Sequence, residues 1–229
     1  MNILCLDTST ELLRIGLAAG DFWYENLRNA GFRHGETLIP QVASLLAEAE
    51  LAPGLLDLVV CTRGPGSFTG LRIGMASAKG LAEGAACPLV TLSTLELYGA
   101  LESSRPGLVI PLIDARKDRF YACVYREGRE MTPEMDASPE EIFARIAALR
   151  DKLPAGPVFF TGPGVPVFQK RTGIGEKNRD FIFDDYPRQS FCSIMIDRGL
   201  KKWRDSGGEP PESGPEYIRP SEAEISNQE

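Results

Sequence analysis

The hydrophobic period of the N-terminal part of the chain changes in a fixed order, and that order leaves few folds open. Ile3–Asp7 is a short apolar run ending in an acid, the pattern of a buried strand. Leu13, Ile15 and Leu17 alternate with Arg14, Gly16 and Ala18, which predicts a second strand. Gly20-Asp21 reads as a two-residue hairpin turn, and Phe22–Leu27 as a third strand. From Glu36 to Glu50 the pattern becomes helical, with Leu38, Ile39, Val42, Leu45, Leu46 and Ala49 on one stripe. A strand over Leu55–Thr62, a helix over Leu71–Ala86 and a strand over Leu89–Leu92 follow. Ser93 and Glu96 form a capping box for a further helix. The order is β-β-β-α-β-α-β-α, an α/β fold.

Pro106-Gly107 punctuates the chain, and a similar series begins again. Leu108–Ile113 is an apolar strand followed by Asp114, and Arg119–Tyr125 is its hairpin partner. Glu127-Gly128-Arg129 is a turn. Ser138 and Glu141 cap a helix reaching about Lys152, and Val158–Thr161 is a strand closing in Gly-Pro-Gly. The division expected is 1–105, a second and degenerate half over 106–206, and a Pro-, Gly-, Ser- and Glu-rich tail over 207–229, mobile except where Tyr217–Glu224 docks.

Composition narrows the function classes. The 229 residues are 43% hydrophobic, enough for a real core, and the formal net charge of −7 disfavours binding nucleic acid without a partner's positive charge. The five cysteines, an odd number with no C-x-x-C pair, read as buried reduced thiols of a cytoplasmic protein. No apolar run is long enough to span a membrane, and the first residues read as a strand rather than a signal peptide.

The chemistry-bearing stretch is Arg63–Gly74, RGPGSFTGLRIG. It lacks the lysine of a Walker phosphate loop, because Leu71 follows Gly70, and its third glycine stands one place late for a dinucleotide fingerprint. Two readings remain. Backbone N–H groups at the helix start, with Ser67 and Thr69, would receive an anion. Alternatively, Gly70, Gly74, Ala78 and Ala82 line one helical face so that a neighbouring helix can approach closely. Asp7 and Asp114 end corresponding strands of the two halves; they would hold Mg²⁺ and phosphate, or cap the turns that follow them. His34 is the only histidine, so a histidine-based metal site or a Ser-His hydrolase has too few ligands and no nucleophile elbow.

The phrases ILCLDTST, RHGETLIPQVASLL, GPGSFTGLRIGMASAKGLA, TLSTLE, IDARKDRFYACVY and EYIRPSEAE, in this order, resemble the bacterial TsaB (YeaZ) family, most strongly over 1–126. The resemblance implies an actin/Hsp70/sugar-kinase (ASKHA) fold of two related α/β halves. It also implies a role in making threonylcarbamoyladenosine (t6A) on tRNA as a non-catalytic subunit without cofactor, pairing with a TsaD-type catalytic subunit and joined by a TsaE-type ATPase. Homodimers are expected when the partner is absent, and tRNA is contacted only through the complex. The TsaD pattern H-x-x-x-H has Leu38 here four residues after His34, and Thr161–Pro166 keeps a fragment of an adenosine-binding turn. Gly35 departs from the serine usual before Glu36.

On this resemblance the two helices join a bundle with the partner, through Leu38, Val42, Leu45, Leu71, Met75 and Ala78. A vestigial nucleotide cleft, retaining at most weak Mg-nucleotide binding, would be lined by Asp7, Ser67, Thr69 and Asp114. The competing functions are a small-molecule phosphotransferase of the sugar-kinase superfamily and a metal-independent peptidase.

Overall fold

The computed structural model describes residues 1–31, 33–174, 180–184, 190–210 and 212–219. The first series is β1 (Asn2–Asp7), β2 (Leu12–Ala19), β3 (Phe22–Asn29), α1 (His34–Glu48), β4 (Leu58–Gly64), α2 (Phe68–Ala85), β5 (Leu89–Ser93) and α3 (Thr94–Leu101). The second is β6 (Leu108–Asp114), β7 (Phe120–Ala122), β8 (Tyr125–Arg126), β9 (Arg129–Glu130), β10 (Met135–Ala137), α4 (Pro139–Arg150), β11 (Val158–Thr161), α5 (Val165–Thr172), β12 (Phe181–Asp184) and α6 (Phe191–Ser206).

The first sheet runs β3-β2-β1-β4-β5 and the second carries the path β10-β7-β6-β11-β12. In each, the central strand pairs antiparallel with the strand after it and parallel with the strand reached through a helix. With the small β8–β9 hairpin set aside, the two series share one order and one topology. The echo in the sequence is therefore a repeat of architecture.

Local chemistry sets the helix ends. α2 begins at Phe68 rather than Leu71 because the Ser67 hydroxyl accepts the Gly70 N–H at 3.3 Å. Ser138 and Glu141 cap α4 reciprocally, as their spacing predicts. Pro40 lies inside α1 on its exposed side.

In the first sheet, Leu4, Leu6, Val59 and Cys61 share a core with Leu38, Val42, Leu45 and Leu46 of α1 and Met75, Ala78 and Ala82 of α2. The opposite face receives α6: Cys5 lies against Cys192, and Val60 against Gly199. In the second sheet, Ile110, Leu112 and Phe160 pack with Ile142 and Ile146 of α4 and Phe168 of α5. Val109, Ile113, Cys123 and Phe159 pack with Leu95 of α3.

Two compact units result. Met1–Thr94 with Ser190–Tyr217 form one; the described residues from Leu95 to Asp184, with Ile218 and Arg219, form the other. This differs from a cut at 105/106. A helical stripe shows that a helix has a face to bury but not which sheet will bury it, and α6 buries its face on the first sheet. The chain after α6 is not free either. Glu209 N–H donates to Leu89 O at 2.7 Å, and Glu216 N–H to Arg63 O at 2.7 Å. Residues 220–229, including the end of the expected docking phrase, lie outside the described residues. Among the described residues no helix is long and apolar enough to cross a membrane.

Candidate functional site

The glycine loop follows β4 and leads into α2, and its surroundings are the chain's own. Asp7, fully buried at the end of β1, has both carboxylate oxygens engaged. Oδ1 accepts from Ser9 N–H at 3.0 Å, Ser9 Oγ–H at 2.6 Å and Thr62 Oγ–H at 3.0 Å; Oδ2 accepts from Arg14 Nη1 at 2.7 Å. Arg14 stands directly opposite Asp7 in the β1–β2 register and lies over the Phe191 ring at 4.5 Å. This carboxylate is a neutralised, hydrogen-bonded element of the core.

The turn after Asp7 fills the space that the glycines leave. Thr8 Oγ–H donates to Gly70 O at 2.8 Å, and Ser67 N–H donates to Ser9 O at 2.7 Å. A methyl group at Gly70 or Gly66 would overlap the backbone oxygen of Thr8 or Ser9, and one at Gly74 would overlap Thr8 Oγ1. Close approach is the reason for the small residues, as one of the two sequence readings has it. The approaching group is the DTST turn, however, and not a neighbouring helix.

The other flank is covered by the segment after α6. Gly64 takes φ +120, and a side chain there would meet Glu216 O at 2.6 Å. Arg63 Nε pairs with Glu216 Oε2 at 2.5 Å. Tyr217 lies against Phe68 with ring centroids 4.8 Å apart and accepts from Arg72 Nε at 3.0 Å, while Arg72 covers the Phe68 ring at 3.8 Å. Ser67 caps α2, and Thr69 is exposed in its first turn.

Asp114, in the second unit, caps the turn that follows it. Its Oδ1 accepts Arg116 N–H at 2.8 Å, with Arg116 Nη1 3.5 Å from Oδ2. Arg116, Lys117 and Asp118 then take positive φ values of 62, 51 and 64. Arg119 closes the turn back on Ala115, and Arg119 and Arg219 share Asp136, at 2.9 and 2.6 Å. Asp7 and Asp114 belong to different units, and each is committed within its own. Gly162 and Gly164, in the fragment expected to resemble an adenosine-binding turn, pack on the backbone of Leu112.

The six residues assigned to a partner interface require correction. Leu38, Val42, Leu45, Leu71, Met75 and Ala78 are all at most 4% exposed, covered by this chain's own atoms. The apolar stripes of α1 and α2 face their own sheet, as amphipathic helices on a sheet do. Beside the polar Glu36, Ser44, Glu48, Arg72 and Glu83, the pair leaves small or apolar residues exposed: Gly35, Ile39, Pro40, Ala43 and Ala47 on α1, and Ala76, Gly80 and Gly84 on α2. α1 begins at His34, and a methyl at Gly35 would meet only Ile73, at 3.7 Å.

His34 is buried with Nε2 unpartnered, and Leu38 stands one turn on. Among the described residues, no three His, Cys, Asp or Glu side chains converge as metal ligands would. Arg14 and Asp136 are not singled out by the sequence, although Arg14 leaves a sign there, a charge between Leu13 and Ile15 in an otherwise buried strand. Tyr217 opens the phrase expected to dock, but the sequence does not say that Phe68 and Arg72 receive it.

Comparison with known proteins places this architecture. The family model described as TsaD, tRNA N6-adenosine threonylcarbamoyltransferase, matches residues 28–183. The Bacillus subtilis protein described as tRNA threonylcarbamoyladenosine biosynthesis protein TsaB is 37% identical over 127 residues, covering 55% of this chain and 56% of that protein. The Escherichia coli protein of the same description is 35% identical over 133 residues, covering 55% of each. The chain thus spans little more than half the length of these curated relatives. In the solved structures, YeaZ from Pseudomonas aeruginosa superposes with a TM-score of 0.75 at 24% identity, over 94% of this chain and 99% of that one. The fold is the two-half α/β type expected, and it is the fold of that YeaZ structure. The Haemophilus influenzae protein described as tRNA threonylcarbamoyladenosine biosynthesis protein TsaB is 34% identical over 161 residues, covering 64% of this chain and 68% of that protein, and on that match the chain belongs to the TsaB family.

Proposed function

We propose that this chain is a non-catalytic subunit of the machinery that makes t6A on tRNA, and that it pairs with a TsaD-type catalytic subunit. One observation carries the reading: the acid that would hold a metal-nucleotide in this fold class, Asp7, is buried and fully hydrogen-bonded by Ser9, Thr62 and Arg14. A carboxylate so engaged would have to shed internal partners before it took a cation, which disfavours a phosphotransferase. Burial of the six inward residues moves the pairing surface to the exposed flank of α1 and α2, centred on Ile39, Ala43, Ala76 and Gly80. Small residues there let a second helical pair come close. A TsaE-type ATPase joins the pair, tRNA is met only through the assembly, and the same flank serves a second copy when the catalytic subunit is absent. The protein works in the cytoplasm and without a cofactor.

Replacing Val42 or Ala78 would not test this surface, since both side chains lie in the core. Ala76→Glu puts a charge on the exposed flank. Light scattering of the mixture with a TsaD-type subunit should show pairing for the parent and at least tenfold weaker pairing for Ala76→Glu, about 1.4 kcal/mol or more. Unchanged pairing by a folded variant rejects the flank. Micromolar Mg-ATP binding removed by Asp7→Ala would instead favour the phosphotransferase.

A further inference from the structure

The two edges of the first sheet are treated differently. At β5 the chain after α6 covers the edge. Glu209 N–H donates to Leu89 O, and Glu209 Oε1 accepts from Thr91 N–H at 3.2 Å, Thr91 Oγ–H at 2.7 Å and Lys202 Nζ at 2.7 Å. At the other end stands β3, with no strand beyond it among the described residues. Besides the charges of Glu25 and Arg28 it exposes three large apolar side chains: Phe22, Trp23 and Leu27 are 68, 42 and 60% exposed on one strand of eight residues. Bare apolar edges are templates for pairing.

The hairpin fixes which backbone groups are available. Ala19 and Phe22 close a two-residue turn, so they exchange both hydrogen bonds and the pairing alternates from there. Phe22, Tyr24, Asn26 and Arg28 direct their N–H and C=O toward β2. Trp23, Glu25 and Leu27 direct theirs outward, and their side chains share one face.

We propose that β3 is a pairing edge through which two copies of this chain join their first sheets. The strand is complementary to itself. Set antiparallel about a two-fold axis at Glu25, the outward-facing backbone groups of Trp23, Glu25 and Leu27 meet those of Leu27, Glu25 and Trp23 of the second copy. Trp23 then lies across from Leu27 on one face, and Phe22 across from Arg28 on the other. Apolar and aromatic–cation cross-strand pairs of this kind are favourable. The register has one cost: Glu25 meets its own copy, and like charges directly opposite are destabilising. Each Glu25 carboxylate already accepts from Ser190 Oγ at 2.5 Å, at the N-terminus of α6, which offsets part of that cost.

The test uses the full chain carrying Ala76→Glu, which closes the helical flank to self-association. Sedimentation velocity over a concentration series should show a dimer. Adding Trp23→Lys and Leu27→Lys should weaken it at least tenfold, and Glu25→Gln should tighten it by removing the axial charges. Hydrogen exchange should slow at the Trp23, Glu25 and Leu27 amides as the dimer forms, a readout that needs no β3 substitution. A protein that stays monomeric with Ala76→Glu alone, a dimer that survives both lysines, or unprotected β3 amides in the dimer overturns the proposal. Binding of the β3 variants to a TsaD-type subunit should be unchanged. Loss of that binding on Ala76→Glu concerns the helical flank and leaves β3 pairing to be judged by sedimentation and exchange.

Discussion

At the scale of single residues, the decisive group is Asp7. Its sequence setting, an acid ending the first strand of an α/β half, fits a metal-nucleotide ligand and a turn cap equally well. Only the positions of Arg14, Ser9 and Thr62 separate the two, because they show how many partners the carboxylate already has. Arg14 is the other half of that answer: its side chain is 8% exposed and Asp7's is wholly buried. Removing one member of a buried pair leaves the other charged and unsolvated, which typically costs about 3–5 kcal/mol. Arg14→Ala should therefore destabilise the chain by about that amount in urea unfolding. Asp7→Ala combined with Arg14→Met should cost less than the sum of the single changes, because neither charge is then stranded. A loss below about 1 kcal/mol for Arg14→Ala would show a solvated carboxylate, as expected of a surface ion pair, and would reopen the ligand reading.

At the scale of the element, α2 carries two kinds of glycine. Gly74 faces the Thr8 hydroxyl, where a methyl group would overlap it, while Gly80 has nothing within 4 Å of an added Cβ. Gly74→Ala should destabilise by about 1–3 kcal/mol through overpacking, and Gly80→Ala should stabilise by about 0.5–1 kcal/mol through reduced freedom of the unfolded chain. Thermal unfolding of the two variants checks both signs, and equal effects would show that Thr8 does not press on the helix. The four-residue spacing of Gly70, Gly74, Ala78 and Ala82 displays the small face in the sequence, but spacing does not say what that face meets. The same gap explains the misplaced interface. An apolar helical stripe is built the same way for a core as for a partner, and here the strongest stripe went to the core. The strands β1 to β7 and β11 and the helices α1 and α2 are legible in their regular periods, and α4 in its capping box; β10 and β12, of three and four residues, are too short to display a period. α5 is masked by the Gly-Pro-Gly that precedes it, and α6 shows only in the helical spacing of Phe191, Cys192, Met195, Ile196 and Gly199 after a Ser190 cap.

At the scale of the molecule, α6 decides what can fold alone. A division at residue 105 makes the first half look autonomous, yet one face of its sheet is covered by a helix that arrives at residue 191. Phe191, Cys192, Met195 and Ile196 are each at most 6% exposed there. Burying such side chains is worth roughly 1.5–3 kcal/mol each, an upper bound when referred to an extended chain. Together they approach the whole stability of a typical domain, about 5–15 kcal/mol. A fragment of residues 1–105 should therefore lack a cooperative fold. The cysteines report this from both faces of the sheet. Cys5 lies under α6, and Cys61 lies under α1 and α2. In the full chain burial pushes the Cys61 thiol up to about 12, with Glu209 and Asp7 adding to the shift, so it should resist iodoacetamide at pH 8. In the fragment both thiols should label at the rate of a denatured control, and a peptide of residues 190–219 should slow both together. Labelling of Cys5 with Cys61 still protected would show that the sheet and its two helices stand without α6, and the first half would then be a domain in its own right.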